Sequence, residues 1–146
     1  MRIAIASDHA AVALRHELAD GLRGAGHEIV DLGCQAGERV DYPDYAARVC
    51  AAVCAGDADR GVLVCGTGIG MSVAANKVAG IRAALVHDVT TASLAAAHNN
   101  ANVLCLGGRV LGPLVAAAWL EAWLTTPFEP RHQPRLDKIS ALEQGA

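Results

Sequence analysis

The chain has few aromatic side chains. They make up 3% of its 146 residues, although hydrophobic residues of all types make up 53%. Alanine, valine and leucine must therefore build most of the core. No apolar run of about 18 residues without charges occurs, so no membrane-spanning helix is predicted. The formal net charge of −3 argues against a nucleic-acid partner, because such proteins usually carry a basic surface.

Cysteine pairs of the C-x-x-C type are also missing, although the chain has five cysteines. An odd number at irregular spacing is not typical of a disulfide framework. Cys50 and Cys54 lie one helical turn apart without His or Asp partners alongside, which favours helix packing over a metal site. At the N-terminus, Asp8 and His9 interrupt the apolar stretch that a signal peptide would need. We therefore expect a cytoplasmic protein.

Short β-branched runs alternate along the chain with longer stretches that have apolar residues at helical spacing. The predicted strands cover 2–7, 27–33, 60–65, 81–86 and 102–107, and the predicted helices cover 10–26, 41–56, 69–80, 89–100, 112–124 and 136–143. This alternation predicts βαβ units and an α/β fold, with a five-stranded parallel sheet covered on both faces. Right-handed crossovers leave few topologies, and we favour a doubly wound sheet of order 2-1-3-4-5. The length favours one domain.

Two local features refine this prediction. Asp44 follows Pro43 and is a plausible N-cap of the second helix. The segment 125–135 is polar and rich in proline, and we expect it to be non-helical.

Ligands of open parallel sheets bind beyond the carboxyl ends of the strands, where the strand order reverses. In the favoured order this point lies between the first and third strands. The first strand ends in Ser7-Asp8-His9, and the third ends in Cys65-Gly66-Thr67-Gly68. We therefore expect these two polar groups to converge in one crevice.

The glycines that follow the third strand are Gly66, Gly68 and Gly70. They allow the backbone to approach a ligand and direct N–H groups at an anion, next to the positive end of a helix. Met71 stands where a dinucleotide-binding fingerprint needs glycine, and no Gly-Lys-Ser/Thr follows, so the loop favours a small anionic group over NAD or ATP. A tight turn that needs glycine only for its geometry explains the loop equally well.

Cys65 stands at the start of this loop and has two interpretations. A cysteine in an apolar run is most often a small core residue. A thiol at a helix N-terminus has its thiolate stabilised, and a base of that kind suits proton abstraction from carbon near neutral pH. Position alone does not decide between the two.

Polar residues cluster at element ends in the last third of the chain. The fourth predicted helix ends in His98-Asn99-Asn100, and Arg109 follows the fifth strand. Two more arginines and a histidine follow in the proline-rich segment: Arg131, His132 and Arg135. Arginine forks suit a phosphate dianion. A solvated basic turn and a histidine that serves a helix dipole are the alternatives.

Taken together, the segments SDHA, DYPDYA, CGTGIGMSVAANK, AHNNANVLCLGGRV and PRHQPRLDKI resemble the ribose-5-phosphate isomerase B family, the RpiB/LacAB sugar-phosphate isomerases. The resemblance covers nearly the whole chain in the same order. It implies a Rossmann-like three-layer α/β/α sandwich. It also implies interconversion of aldose and ketose phosphates through an enediol, with no metal and no cofactor. It further implies a homodimer or homotetramer with shared active sites, in which 126–146 contacts the partner subunit.

The resemblance also implies a role for each matching residue. Cys65 is the expected base that moves a proton between C1 and C2, and His98 is the expected opener of the furanose ring. Thr67 and the loop amides are expected to hold the enediolate oxygens: Gly66, Thr67, Gly68, Ile69 and Gly70. The remaining expected substrate contacts are Asp8, His9, Asn99, Arg109, Arg131, His132 and Arg135.

The substrate is expected to be ribose 5-phosphate. Allose 6-phosphate, galactose 6-phosphate and a tetrose phosphate are alternatives, because Ala11-Val12, Thr90 and the Ala95–Ala97 run depart from the family's usual pattern. A phosphosugar sensor without catalysis is a second hypothesis, although a sensor would need neither Cys65 nor His98. A thiol redox protein is a third, and the lack of a resolving cysteine near Cys65 in sequence weighs against it.

Overall fold

The structure is a computed structural model that describes residues 1–145. Five strands alternate with six helices. The strands are β1 (Arg2–Ser7), β2 (Glu28–Asp31), β3 (Arg60–Cys65), β4 (Ala83–Leu85) and β5 (Val103–Gly107). The helices are α1 (Val12–Gly24), α2 (Tyr42–Ala55), α3 (Ile69–Ala75), α4 (Val89–Ala97), α5 (Pro113–Thr125) and α6 (Gln133–Leu142), with a 3₁₀ turn at Pro130–His132.

All strand pairs are parallel, and the sheet order is β2-β1-β3-β5-β4. The predicted five-stranded parallel sheet is confirmed, but the predicted order 2-1-3-4-5 is wrong at one edge. The physical reason lies in burial. All five residues of β5 are buried, which suits the inside of a sheet, whereas the three residues of β4 are half-buried and form an edge.

Alternate residues of each strand face two separate apolar layers. Val62 and Val64 face the layer built with α1, α4 and α5, whereas Leu63 and Cys65 face the layer built with α2 and α3. The three-layer α/β/α arrangement is therefore confirmed. Small side chains fill both layers. The indole of Trp123 lies in the first of them and donates from Nε1 to Ala101 O at 3.1 Å.

Three local predictions need correction. The N-cap of α2 is Asp41, and Pro43 and Asp44 lie inside its first turn, where a carboxylate complements the helix dipole. Helix α3 ends at Ala75 and not at residue 80, and the side chain of its C-cap, Asn76, makes two hydrogen bonds to the backbone of Ala83 in β4.

The third correction concerns the proline-rich segment. Residues 130–135 are helical, since Pro130 and Pro134 both lie in first turns, where no N–H is needed. None of the helices described is long and apolar enough to cross a bilayer.

Candidate active site

The end of β1 lies beside the end of β3. The backbone N–H of Asp8 donates to Val64 O at 3.3 Å, and the buried Asp8 carboxylate accepts from Ala10 N at 2.9 Å. His9 is exposed, and its Nδ1 lies 3.2 Å from Val40 O. The predicted convergence of these two strand ends is therefore present in the fold.

Cys65 is the last residue of β3, and only 5% of it is exposed. Its Sγ accepts a hydrogen bond from the N–H of Gly68 at 3.1 Å. Gly68 is the N-cap of α3 and has φ +80°, a conformation that L side chains rarely adopt. The sulfur therefore lies at the end of β3, in contact with the loop that begins α3, where ligands of a parallel sheet bind.

The glycine loop is closely packed by polar and aromatic neighbours. A methyl group on Gly66 would lie 3.4 Å from Arg109 Nη1, and the N–H of Arg109 donates to Gly66 O at 2.9 Å. A methyl group on Gly70 would lie 2.7 Å from the ring of Tyr42, a partly exposed residue that the sequence reasoning missed as a site neighbour. Thr67 and Ile69 are exposed at the tip of the loop.

These residues form one group, here called the strand-end cluster. Its members are Asp8, His9, Cys65, Gly66, Thr67, Gly68, Ile69, Gly70 and Arg109. Backbone bonds across the strand ends join them, for example from Gly108 N to Cys65 O at 2.7 Å. The cluster combines a thiol, a cation and several loop N–H groups at one end of the sheet. It can therefore take a proton, bind an anion and stabilise a developing oxyanion.

A second group lies where α4 ends and the 3₁₀ turn begins. Its ring pair is His98, the C-cap of α4, and His132, with ring centroids 4.2 Å apart. We call it the histidine cluster. Its members are His98, Glu129, Arg131, His132 and Arg135, and the predicted site residue Asn99 follows His98 with its backbone oxygen accepting from Arg82. Glu129 was not predicted, and no motif in the sequence pointed to it.

Charges within the histidine cluster are closely coupled. Arg131 binds the Glu129 carboxylate at 2.6 and 2.8 Å, and this contact lowers the pKa of Glu129. Burial of the His132 ring, helped by the nearby charge of Arg131, lowers the pKa of His132. His132 is therefore neutral near pH 7, and Glu129 is ionised.

Three atoms of this cluster have the chemistry of metal ligands. One ligand atom each from His98, Glu129 and His132 lies within 4.8 Å of the others. Arg135 donates to His132 Nδ1, which directs the ring hydrogen to Nε2, the nitrogen that a metal would need free. Because Arg131 also occupies the carboxylate, these side chains suit an ion-pair cluster better than a cation site.

The two clusters lie at opposite ends of the strands. In the β3–β5 register, Gly61 pairs with Val103 and Cys65 pairs with Gly107. His98 precedes the first residue of β5, whereas Cys65 stands at the last residue of β3. Four strand residues rise about 13 Å. No hydrogen bond or ion pair within residues 1–145 joins the clusters. One chain therefore brings Cys65 together with Asp8 and Arg109, but not with His98 or Arg135.

Known proteins resemble the chain over nearly its whole length. A sequence model described as Ribose/Galactose Isomerase matches residues 3–139. A putative sugar phosphate isomerase, YwlF, from Bacillus subtilis is 49% identical, covering 99% of this chain and 98% of its own. Ribose-5-phosphate isomerase B from Escherichia coli is 45% identical over 98% and 97% of the two chains. A D-erythrulose-4-phosphate isomerase from Pectobacterium atrosepticum is 43% identical over 98% and 95%.

Solved structures give the same result. The ribose-5-phosphate isomerase B of Clostridium thermocellum superposes with a TM-score of 0.97 at 44% identity, over 99% of both chains. Sequence and fold therefore agree, and the chain belongs to the Ribose/Galactose Isomerase family.

Proposed function

We propose that this chain interconverts ribose 5-phosphate and ribulose 5-phosphate through a cis-enediolate. The observation that carries the proposal is the Cys65 sulfur, which accepts the Gly68 N–H at the end of β3. Its thiolate takes the proton from C2 and returns it to C1. The loop amides and Thr67 stabilise the charge that develops on the carbonyl oxygen, without reorganisation during the reaction. His98 opens the furanose ring first, because only the open-chain aldose has an acidic C2 proton.

In this proposal the arginines bind the phosphate group of the substrate. Arg109 lies against the loop, and Arg131 and Arg135 belong to the histidine cluster. The phosphate forms and breaks no bond in the reaction, but its binding energy aligns the open chain with the sulfur. Asp8, His9 and Asn99 remain the proposed hydroxyl ligands.

We also propose that two subunits share each active site in a homodimer. Support comes from the distance between Cys65 and His98 within one chain and from exposed apolar side chains. Leu114 is 88% exposed, Val110 65%, and Ile69 and Val73 56% each, and apolar surface of this kind favours burial against a second subunit. Segment 126–146, whose last residue lies outside the described residues, would contact the partner, and a homotetramer is the alternative assembly. A cytoplasmic compartment agrees with five free cysteines.

The deciding experiment measures turnover of ribose 5-phosphate, allose 6-phosphate and erythrose 4-phosphate by the wild type, Cys65→Ala and Cys54→Ala. Cys54 is an exposed cysteine on α2 and serves as the matched control. We expect the wild type and Cys54→Ala to prefer ribose 5-phosphate, and Cys65→Ala to bind it without turnover. Near-full activity of Cys65→Ala would mean that the base lies elsewhere. Binding without turnover by the wild type would favour the sensor.

A tetrose phosphate is the second candidate substrate. It is favoured by the 43% identity to a relative that is named D-erythrulose-4-phosphate isomerase. The same panel decides between the two, since a higher kcat/KM for erythrose 4-phosphate than for ribose 5-phosphate would assign the four-carbon substrate.

A further inference from the structure

The carboxylate of Glu129 is the point on which the histidine cluster converges. Its Oε2 lies 3.9 Å from His98 Nε2, 3.5 Å from His132 Nε2 and 2.6 Å from Arg131 Nη2. The Glu129 and His98 side chains are 44% and 35% exposed, so a ligand can reach the site without unfolding it. Among the described residues only Arg131 donates hydrogen bonds to this oxygen, and the two imidazoles lie at ion-pair distance from it, so its negative charge faces both rings.

The backbone holds this carboxylate beside His98. The N–H of Glu129 donates to Ala97 O at 2.8 Å, and Ala97 is the residue directly before His98. The N–H of His132 donates to Glu129 O at 3.0 Å. The position of Glu129 is thus fixed by main-chain contacts at both of its peptide groups and does not depend on the side-chain ion pairs alone.

The second imidazole has its tautomer fixed by its neighbours. Arginine only donates, so the contact from Arg135 makes His132 Nδ1 an acceptor and leaves the ring hydrogen on Nε2, which faces Glu129. Only 4% of His132 is exposed, and its ring packs at 34° against that of His98. The neutral His132 ring therefore packs against one side of the His98 ring, and Glu129 is the anionic group nearest to His98 Nε2.

We propose that Glu129 is a positioning residue for His98: its negative charge, 3.9 Å from Nε2, attracts the Nε2–H edge of the ring toward Oε2 and leaves Nδ1 facing the sugar. This inference rests on the proposed role of His98 in ring opening. Nδ1 takes the proton from the hydroxyl on C1, the O1 electron pair forms the C1=O1 double bond, and the bond from C1 to O4 breaks toward O4. The imidazolium then returns the same proton to O4, and Glu129 stabilises its transient positive charge.

Glu129→Gln tests this role because it keeps the shape of the side chain and removes its charge. Glu121→Gln, at an exposed position on α5, is the matched control. The substrates are ribose 5-phosphate, which is mostly cyclic, and erythrose 4-phosphate, whose phosphorylated O4 leaves no hydroxyl to close a furanose ring. We expect Glu129→Gln to lower kcat on ribose 5-phosphate about tenfold with little change in KM, and to change kcat on erythrose 4-phosphate less than about twofold. Glu129→Asp should recover part of the loss.

Other kinetic results would overturn the proposal. An equal loss on both substrates would assign Glu129 a structural role, and an unchanged rate on ribose 5-phosphate would leave it no role. A rise in KM alone would mean that Glu129 acts only through Arg131 and the phosphate.

A second measurement does not depend on turnover. The ¹⁵N chemical shifts of the two imidazole nitrogens report the tautomer of His98. We expect the Nε2–H form in the wild type and in Glu121→Gln, and a mixture of both forms in Glu129→Gln. An Nδ1–H form in the wild type would overturn the pairing. If no sugar phosphate is turned over, the proposed function fails by itself, and the tautomer still decides whether Glu129 orients His98.

Discussion

Two inactive variants should restore each other's activity if the active site is shared between subunits. Cys65→Ala removes the proposed base from the strand-end cluster, and His98→Asn removes the proposed ring opener from the histidine cluster. In the proposed reaction the two groups act on adjacent carbons of one sugar, so each must come within about 3.5 Å of its reacting atom. Within one chain Cys65 lies at the last residues of the β3–β5 pair and His98 precedes its first residues, and these two ends are about 13 Å apart along the strands, too far for adjacent atoms of one substrate.

The size of the recovery follows from counting sites. Random pairing of two chains makes about half of the dimers mixed, and each mixed dimer contains one intact site and one site that lacks both groups. About a quarter of the wild-type activity should therefore return. The assay mixes the purified variants in denaturant, refolds them together and measures turnover of ribose 5-phosphate, beside each variant refolded alone.

A same-cluster pair provides the control. Asp8→Asn mixed with Cys65→Ala should give no recovery, because both residues belong to the strand-end cluster and come from the same subunit. No recovery from the Cys65→Ala and His98→Asn pair, with mixed dimers demonstrated by mass spectrometry, would refute the reasoning and place both groups in one subunit's site.

The remaining predictions concern stability. Gly68→Ala adds a methyl group at φ +80°, 2.6 Å from a leucine side chain, and should lower the free energy of unfolding by about 1–3 kcal/mol. Gly21→Ala adds a methyl group in open space within α1 and should raise the free energy of unfolding by about 0.5–1 kcal/mol. Arg15→Met removes a buried guanidinium that donates to Ser7 Oγ and Cys34 O and pairs with a carboxylate, and should lower the free energy of unfolding in urea by roughly 3 kcal/mol. Arg23→Met, at an exposed position, should lower it by less than about 0.5 kcal/mol. Because burial lowers the pKa of His132, the unfolded chain binds more protons below about pH 6.5, so stability should fall as the pH drops from about 7 to 5, and less steeply in His132→Gln.

Each of these has a clear contrary result. Equal stability of the two glycine variants would mean that the loop tolerates a side chain at φ +80°. A small change in the free energy of unfolding for Arg15→Met would mean that water molecules hydrogen-bond to Ser7 Oγ and Cys34 O in place of the guanidinium. Identical pH slopes for His132→Gln and the wild type would mean that another group carries the acid sensitivity.

The sequence predicted the site unevenly, and particular residues show why. Cys65 and Asp8 could be placed together because neighbouring parallel strands have their carboxyl ends on the same side of a sheet. In the structure the ends of β1 and β3 are indeed joined, by the bond from Asp8 N to Val64 O. Glu129 could not be found, because it lies in an unremarkable turn and becomes a neighbour of His98 only through the bond from its N–H to Ala97 O. Tyr42 was missed for the same reason, since it meets Gly70 only in the folded chain.

Local patterns determined the element types, the parallel sheet, and the thiol and glycine loop at the end of β3. These features depend on hydrophobic periodicity and turn chemistry within a few residues. Only the tertiary structure decided that β5 lies inside the sheet and β4 at its edge, because strand order depends on which apolar faces pack together. The same long-range packing places His98 and Cys65 at opposite ends of the strands, a separation that short-range spacing does not encode.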